Sequence, residues 1–149
     1  MKEDLSNSKI VLDTKPIIKL FAGEEGWKEV KEILSLAESG KIVTGICTIT
    51  LTEVYYKYLR EGRLDLAKRR TEQLKYALYL KKYAVNEEVA LKAGEFKGKY
   101  GIPISDALIA ACAYVEDAIV VSDDKDFRKM SEIKVLTEKE AYNMVMEQF

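Results

Sequence analysis

The chain has 149 residues, 48% of them hydrophobic and 33% charged, with a formal net charge of −1. That is the length of one domain, residues 1–149, large enough to bury about two-thirds of its unfolded surface without disulfides or a structural metal. It contains no histidine. Ser-His and Cys-His nucleophile pairs, paired-histidine RNA cleavage and His-ligated metal chemistry are therefore excluded, which leaves carboxylates, Lys, Arg, Ser, Thr, Tyr and Cys.

The two cysteines, Cys47 and Cys112, suggest no disulfide framework, and Cys112 sits in an apolar run as a small core residue. The charged N-terminal stretch MKEDLSNSKI lacks the apolar segment of a signal peptide. The longest uncharged apolar stretch, 107–115, is too short to span a bilayer. A soluble, cytoplasmic protein with no membrane association is expected.

In chain order, Ile10-Val11-Leu12 reads as a short buried strand ending at Asp13, with a helix beginning near Pro16, a residue suited to a first turn. Trp27, Val30, Ile33, Leu34 and Ala37 recur at helical spacing and predict a helix over 27–38, stopped by Gly40. Lys41 to Gly45 follows as the second strand. Helices are expected from Thr48 to about Glu61, broken by Gly62, and over 64–82. A short strand at 83–85 precedes a helix over 87–98. Ser105 is positioned to cap an apolar helix over 106–116. Ala118 to Ser122 is the second clear buried strand, followed by a short turn or helix, a strand at 134–136 and a final helix over 138–148. Short apolar strands alternating with helices predict a three-layer, Rossmann-like α/β domain around a parallel sheet. In such a sheet the site lies beyond the carboxyl ends of the strands, where strand order reverses.

Five of the eight aspartates fall at three places: Asp13, Asp106, and the run Asp123, Asp124, Asp126. The strands before Asp13 and Asp123, if neighbours, bring their acids to one crevice. Each acid alone has a plain structural reading: a cap at Asp13, a helix-dipole partner at Asp106, a solvated helix residue at Glu53, a turn at 123–126. Gathered together they are hard oxygen ligands suited to Mg²⁺ or Mn²⁺; without a cation they would raise one another's pKa. Between Lys57 and Lys82 lie nine basic and three acidic residues, and six of the nine tyrosines fall between Tyr55 and Tyr83. This stretch reads either as a track for a phosphate backbone or as a helical hairpin with an apolar face formed by Leu64, Ala67, Leu74, Ala77, Leu78 and Leu80.

The strings VLDTKPII (11–18), TLTEVYY (50–56), ISDALIAA (104–111) and VVSDDKDF (120–127) together resemble the PIN-domain ribonucleases, above all the small single-domain VapC-like toxins. The resemblance runs over essentially the whole chain. It implies that Asp13, Glu53, Asp106 and Asp124 are the catalytic acids, with Asp126 as a fifth carboxylate and Asp123 at a variable position. It further implies that Asp13, Asp106 and Asp124 bind one or two Mg²⁺ or Mn²⁺ ions, with Glu53 and Asp126 orienting waters or a second ion. An RNA substrate, an antitoxin protein and a homodimer belong to the same implication. Lys15 departs from the small residue usual after Asp-Thr and is free to meet a phosphate or solvent, while the Thr14 hydroxyl is suited to hold a metal-bound water. Three rivals remain at this level. An aspartyl phosphatase wants an acid where Lys15 stands, a receiver module wants its acidic pair after the first strand, and a non-cutting PIN scaffold would have no need of the acids.

Overall fold

A computed structural model describes residues 9–149; the charged N-terminal segment read above for signal-peptide character lies almost wholly outside them. Five parallel strands form one sheet in the order β3-β2-β1-β4-β5. They are β1 (Lys9–Leu12), β2 (Val43–Cys47), β3 (Leu80–Tyr83), β4 (Ala118–Val121) and β5 (Val135–Leu136). The helices are α1 (Thr14–Ala22), α2 (Trp27–Glu38), α3 (Ile49–Arg60), α4 (Leu64–Tyr76), α5 (Glu87–Tyr100), α6 (Ile104–Val115) and α7 (Glu138–Gln148), with a 3₁₀ turn at Lys125–Lys129.

Alternation along the strands divides the core. Ile10 and Leu12 of β1 face one buried cluster with Ile119 and Val121 of β4, Ile46 of β2 and the inner faces of α1, α2, α3, α4 and α7. Val11 and Val120 face the opposite cluster, under α5 and α6. Strands hidden on both faces must be short continuous apolar runs, as β1 and β4 are. Within α6, Ala107, Ala110, Ala111, Cys112 and Ala113 are all buried; their small side chains let this helix lie close against the sheet. No helix among the described residues is long and apolar enough to cross a membrane.

Four elements differ from the sequence reading. The helix expected over 64–82 ends at Tyr76, and Leu80–Tyr83 forms the edge strand β3 in place of a strand at 83–85. Lys81 and Lys82 put charge on that edge, which protects it from pairing with another chain and also makes it look like an amphipathic helix. The expected apolar face of the hairpin is therefore split: Ala67, Leu74 and Leu80 are buried, while Leu64 and Leu78 are exposed. Helix α6 begins at Ile104 after Pro103, so Ser105 lies inside its first turn and does not cap it.

The second strand is shifted to Val43–Cys47, with Gly45 at its centre, paired to Val11 and Lys81. A Cβ at Gly45 would meet the Tyr83 ring and lie 2.9 Å from both the Cβ and the carbonyl oxygen of Lys81. Gly45→Ala is therefore expected to push β3 outward and cost about 2 kcal/mol, lowering Tm by roughly 4–8 °C in thermal unfolding. An unchanged Tm would mean that the edge strand yields freely. Cys47, at the end of this strand, and Cys112 of α6 are both free and buried, and their thiols touch. A spacing of 65 positions gave no sign of that contact.

Candidate active site

The chain leaves β1 for β2 on one side and reaches β4 on the other only after α5 and α6, so strand order reverses between β1 and β4. Their register pairs Leu12 with Val121, and the Asp13 N–H extends it by donating to the Val121 carbonyl at 3.1 Å. Asp13 and Ser122 thus emerge side by side at the mouth of the crevice that open α/β sheets use for ligands.

Asp13 is 4% exposed and performs two tasks. It caps α1, its Oδ1 accepting the Thr14 N–H at 2.7 Å, and its Oδ2 accepts the Ser122 hydroxyl at 2.7 Å. Ser122 Oγ in turn accepts the Asp124 N–H at 3.0 Å, and Asp124 Oδ1 accepts the Asp126 N–H at 2.9 Å. One chain of hydrogen bonds therefore fixes the β4 exit loop to the end of β1. Helix α3 is tied in by hydroxyls. Thr14 Oγ1 donates to Glu53 Oε1 at 2.6 Å, so across the 2.9 Å contact between Thr14 and Thr50 the proton must come from Thr50. The Thr14 hydroxyl expected to hold a water is committed instead to holding Glu53.

Asp106 stands in the first turn of α6, 8% exposed, and accepts no hydrogen bond from the described residues. One carboxylate oxygen from each of Asp106, Asp124 and Asp126 falls within 4.8 Å of the other two. Asp13, Glu53, Asp106 and Asp124 line a cleft of about 370 Å³ together with Thr14, Lys15, Ile18, Tyr56, Lys57, Arg60 and Glu61. The four acids expected to act together thus border one cavity, and Asp126 joins two aspartates in the tightest group, to which Asp13 and Glu53 do not belong.

The electrostatic cost of this gathering is visible. Burial pushes Asp106 up to about 7, and the charges of Asp13, Asp124, Asp126 and Glu53 add to the effect. A helix N-terminus favours a carboxylate by only about 0.3–1 kcal/mol, too little to offset desolvation and four like charges. Asp13 rises to about 6, chiefly through burial; the Ser122 hydroxyl and Thr14 N–H restrain it, and Glu53 and Asp124 push it up.

Asp123 points elsewhere. Lys19 Nζ lies 2.9 Å from Asp123 Oδ2 and 3.0 Å from Glu138 Oε1, and the Glu138 N–H, at the start of α7, donates to Asp123 Oδ1 at 3.1 Å. Burial would raise Asp123, but Lys19 and that N–H outweigh it and hold the carboxyl below its ordinary value. Lys19 and Glu138 had no signal in the sequence, being separated by 119 positions; the supporting role of Ser122 was legible only as part of the SDD string.

The family model described as PIN domain matches residues 10–133. Solved structures share the fold at low identity. VapBC2 from Rickettsia felis, bound to a DNA fragment from its promoter, aligns with a TM-score of 0.69 at 16% identity, over 87% of this chain and 98% of that one. A toxin-antitoxin complex from Klebsiella pneumoniae aligns with a TM-score of 0.65 at 22% identity, over 87% and 97%. PAE2754 from Pyrobaculum aerophilum aligns with a TM-score of 0.65 at 16% identity, over 99% of both chains. No curated protein is matched by sequence.

Proposed function

This chain belongs to the PIN-domain family, and from that premise we propose that it is a metal-dependent endoribonuclease, hydrolysing RNA phosphodiester bonds at the acidic cleft as the toxin of a toxin–antitoxin pair. The observation that carries the reading is the trio Asp106, Asp124 and Asp126, with ligand oxygens within 4.8 Å of one another and Asp106 buried without a compensating donor among the described residues. Buried acids that repel one another are costly unless a cation joins them. An all-carboxylate donor set, free of imidazole and with the thiols buried elsewhere, fits a hard divalent ion, Mg²⁺ or Mn²⁺.

Asp106, Asp124 and Asp126 would hold the ion, with Asp13 at the adjoining edge. When bound, the ion supplies charge neutralisation at the phosphate and activation of the attacking water. Asp13 holds the β4 exit loop through Ser122 and so fixes Asp124. Glu53, anchored at Oε1 by Thr14, keeps Oε2 free to orient a water and accept its proton. With that chemistry no general base of near-neutral pKa is required, which accounts for a nuclease without histidine.

The toxin role rests on the likeness to the VapBC and Klebsiella toxin-antitoxin structures. It carries with it an antitoxin protein as partner, a homodimer and a cytoplasmic location. Incubation with total cellular RNA in Mg²⁺ or Mn²⁺ is expected to yield discrete fragments that disappear in EDTA. Intact RNA under every metal condition, with a chain folded by circular dichroism, would move the reading to a PIN scaffold that binds without cutting. Fragment ends confined to precursor RNAs would indicate RNA processing in place of a toxin.

A further inference from the structure

Helix α3 carries Glu53, Tyr56, Lys57 and Arg60 at positions i, i+3, i+4 and i+7, so one face of it forms a wall of the acidic cleft. Along that face the character changes from acid to aromatic to cation. Lys57 is held by Glu61 at 2.8 Å. Arg60 makes no ion pair with any described residue; its guanidinium lies over the Tyr56 ring, 4.8 Å from the centroid. Tyr56 remains 41% exposed. At 1.5 Å per residue Arg60 stands about 10 Å along the helix from Glu53, at the other end of this wall of the cleft.

A phosphodiester strand entering a cleft of four carboxylates is repelled unless cations beyond the acids hold it. Arg60 meets that need with its fork of donors, and with the half-exposed Tyr56 ring beside it the pair offers a stacking surface to a planar base. We infer that the Tyr56–Arg60 pair is the seat for a nucleotide flanking the cleaved phosphate, so that the substrate strand runs along α3. The inference rests on the nuclease reading above and assigns two residues beyond its acids. Such a seat takes an unpaired base, because only an unpaired base can expose its face to a side chain.

The test is fluorescence anisotropy of a short labelled single-stranded RNA with the full chain carrying Asp106→Asn to prevent cutting. In that background Arg60→Gln is expected to weaken binding about tenfold and to flatten the slope of log affinity against log salt by about one. Tyr56→Leu weakens it several-fold, Tyr56→Phe preserves it, and Arg69→Gln, on the exposed face of α4 away from the cleft, leaves it unchanged. The same sequence as a duplex binds more weakly and without regard to Arg60. No binding by the parent, parental affinity and salt slope in both Arg60→Gln and Tyr56→Leu, or equal binding of the duplex would each overturn the inference. The two readings fail separately. Arg60-dependent binding by a chain that never cuts RNA would remove the nuclease and keep the seat. Metal-dependent cutting unaffected by Arg60→Gln would remove the seat and keep the nuclease.

Discussion

Asp106→Asn is expected to lose at least about 100-fold in metal-dependent RNA cleavage while unfolding at a higher temperature than the parent in metal-free buffer. Both effects have one cause. Asp106 is a buried acid raised to about 7 by burial and by four neighbouring acids, against about 3.9 in an unfolded chain. Because the folded pKa lies above the unfolded one, the folded state holds the extra proton. This contribution to stability is fully present below about pH 4 and is lost as pH rises through about 7. At about pH 8 the metal-free protein therefore bears the full repulsion. Asn keeps the shape and removes the charge, and is expected to return about 2 kcal/mol, or roughly 4–8 °C in Tm. The gain should shrink as pH falls toward 4, where the parent carboxyl is already neutral. An Asp106→Asn protein less stable than the parent at every pH would mean that the carboxylate has a structural partner. Retained cleavage would remove Asp106 from the chemistry.

Lys19→Met is expected to act in the opposite direction, through the fold. Glu138 is 3% exposed, and burial raises its pKa while Lys19 draws it back. Lys19 is the cation that lets this acid and Asp123 lie together beneath the β4 exit loop. Removing one partner of a buried pair typically costs 3–5 kcal/mol. With Asp123 half exposed, about 2–3 kcal/mol is expected here, a fall of roughly 6–10 °C in Tm. The sign of the pH dependence is fixed. Without Lys19 the folded Glu138 pKa rises further above its unfolded value, so the variant suffers most at about pH 8 and recovers part of the loss at about pH 5. Adding Glu138→Gln to Lys19→Met should restore most of the stability. If the double variant is no better than the single one, the loss comes from packing of the lysine stem and not from a stranded carboxylate.

Much of the site was legible because its acids sit at ends of strongly marked elements. The apolar runs at β1 and β4 could only be buried strands, and Asp13 and the 122–126 run follow them directly. Local chemistry at these positions also serves two purposes at once. Asp13 is both a helix cap and a cleft acid, and Asp106 is both a first-turn acid and a cleft acid, so a structural role at either position does not compete with a functional one. What remained hidden depends on contacts between distant residues. The sequence LYLKKY at 78–83 carries apolar residues at spacings compatible with helix or strand, and only pairing with β2 decides for the strand. Gly45 resembled the end of a strand until Tyr83 was seen to cover it. The commitment of the Thr14 hydroxyl to Glu53, and the Lys19 link to Asp123 and Glu138, arise from side chains brought together by the sheet crossovers. Within the basic 57–82 stretch, composition could not separate Lys57 and Arg60, which reach the cleft, from the cations of α4, which do not line it.

If Asp106, Asp124 and Asp126 form a cation site whose repulsion the ion relieves, calorimetric titration of Mn²⁺ into the full chain, in two buffers of different ionisation enthalpy, will register it. At about pH 6 binding should release protons, because burial and neighbouring acids raise Asp106 and Asp13 so that they still carry protons there; at about pH 8 the release should shrink and the affinity rise. Asp106→Asn should lose most of the binding heat. No Mn²⁺ binding by the parent, or binding of equal affinity and without proton release in parent and variant at about pH 6, would contradict the account.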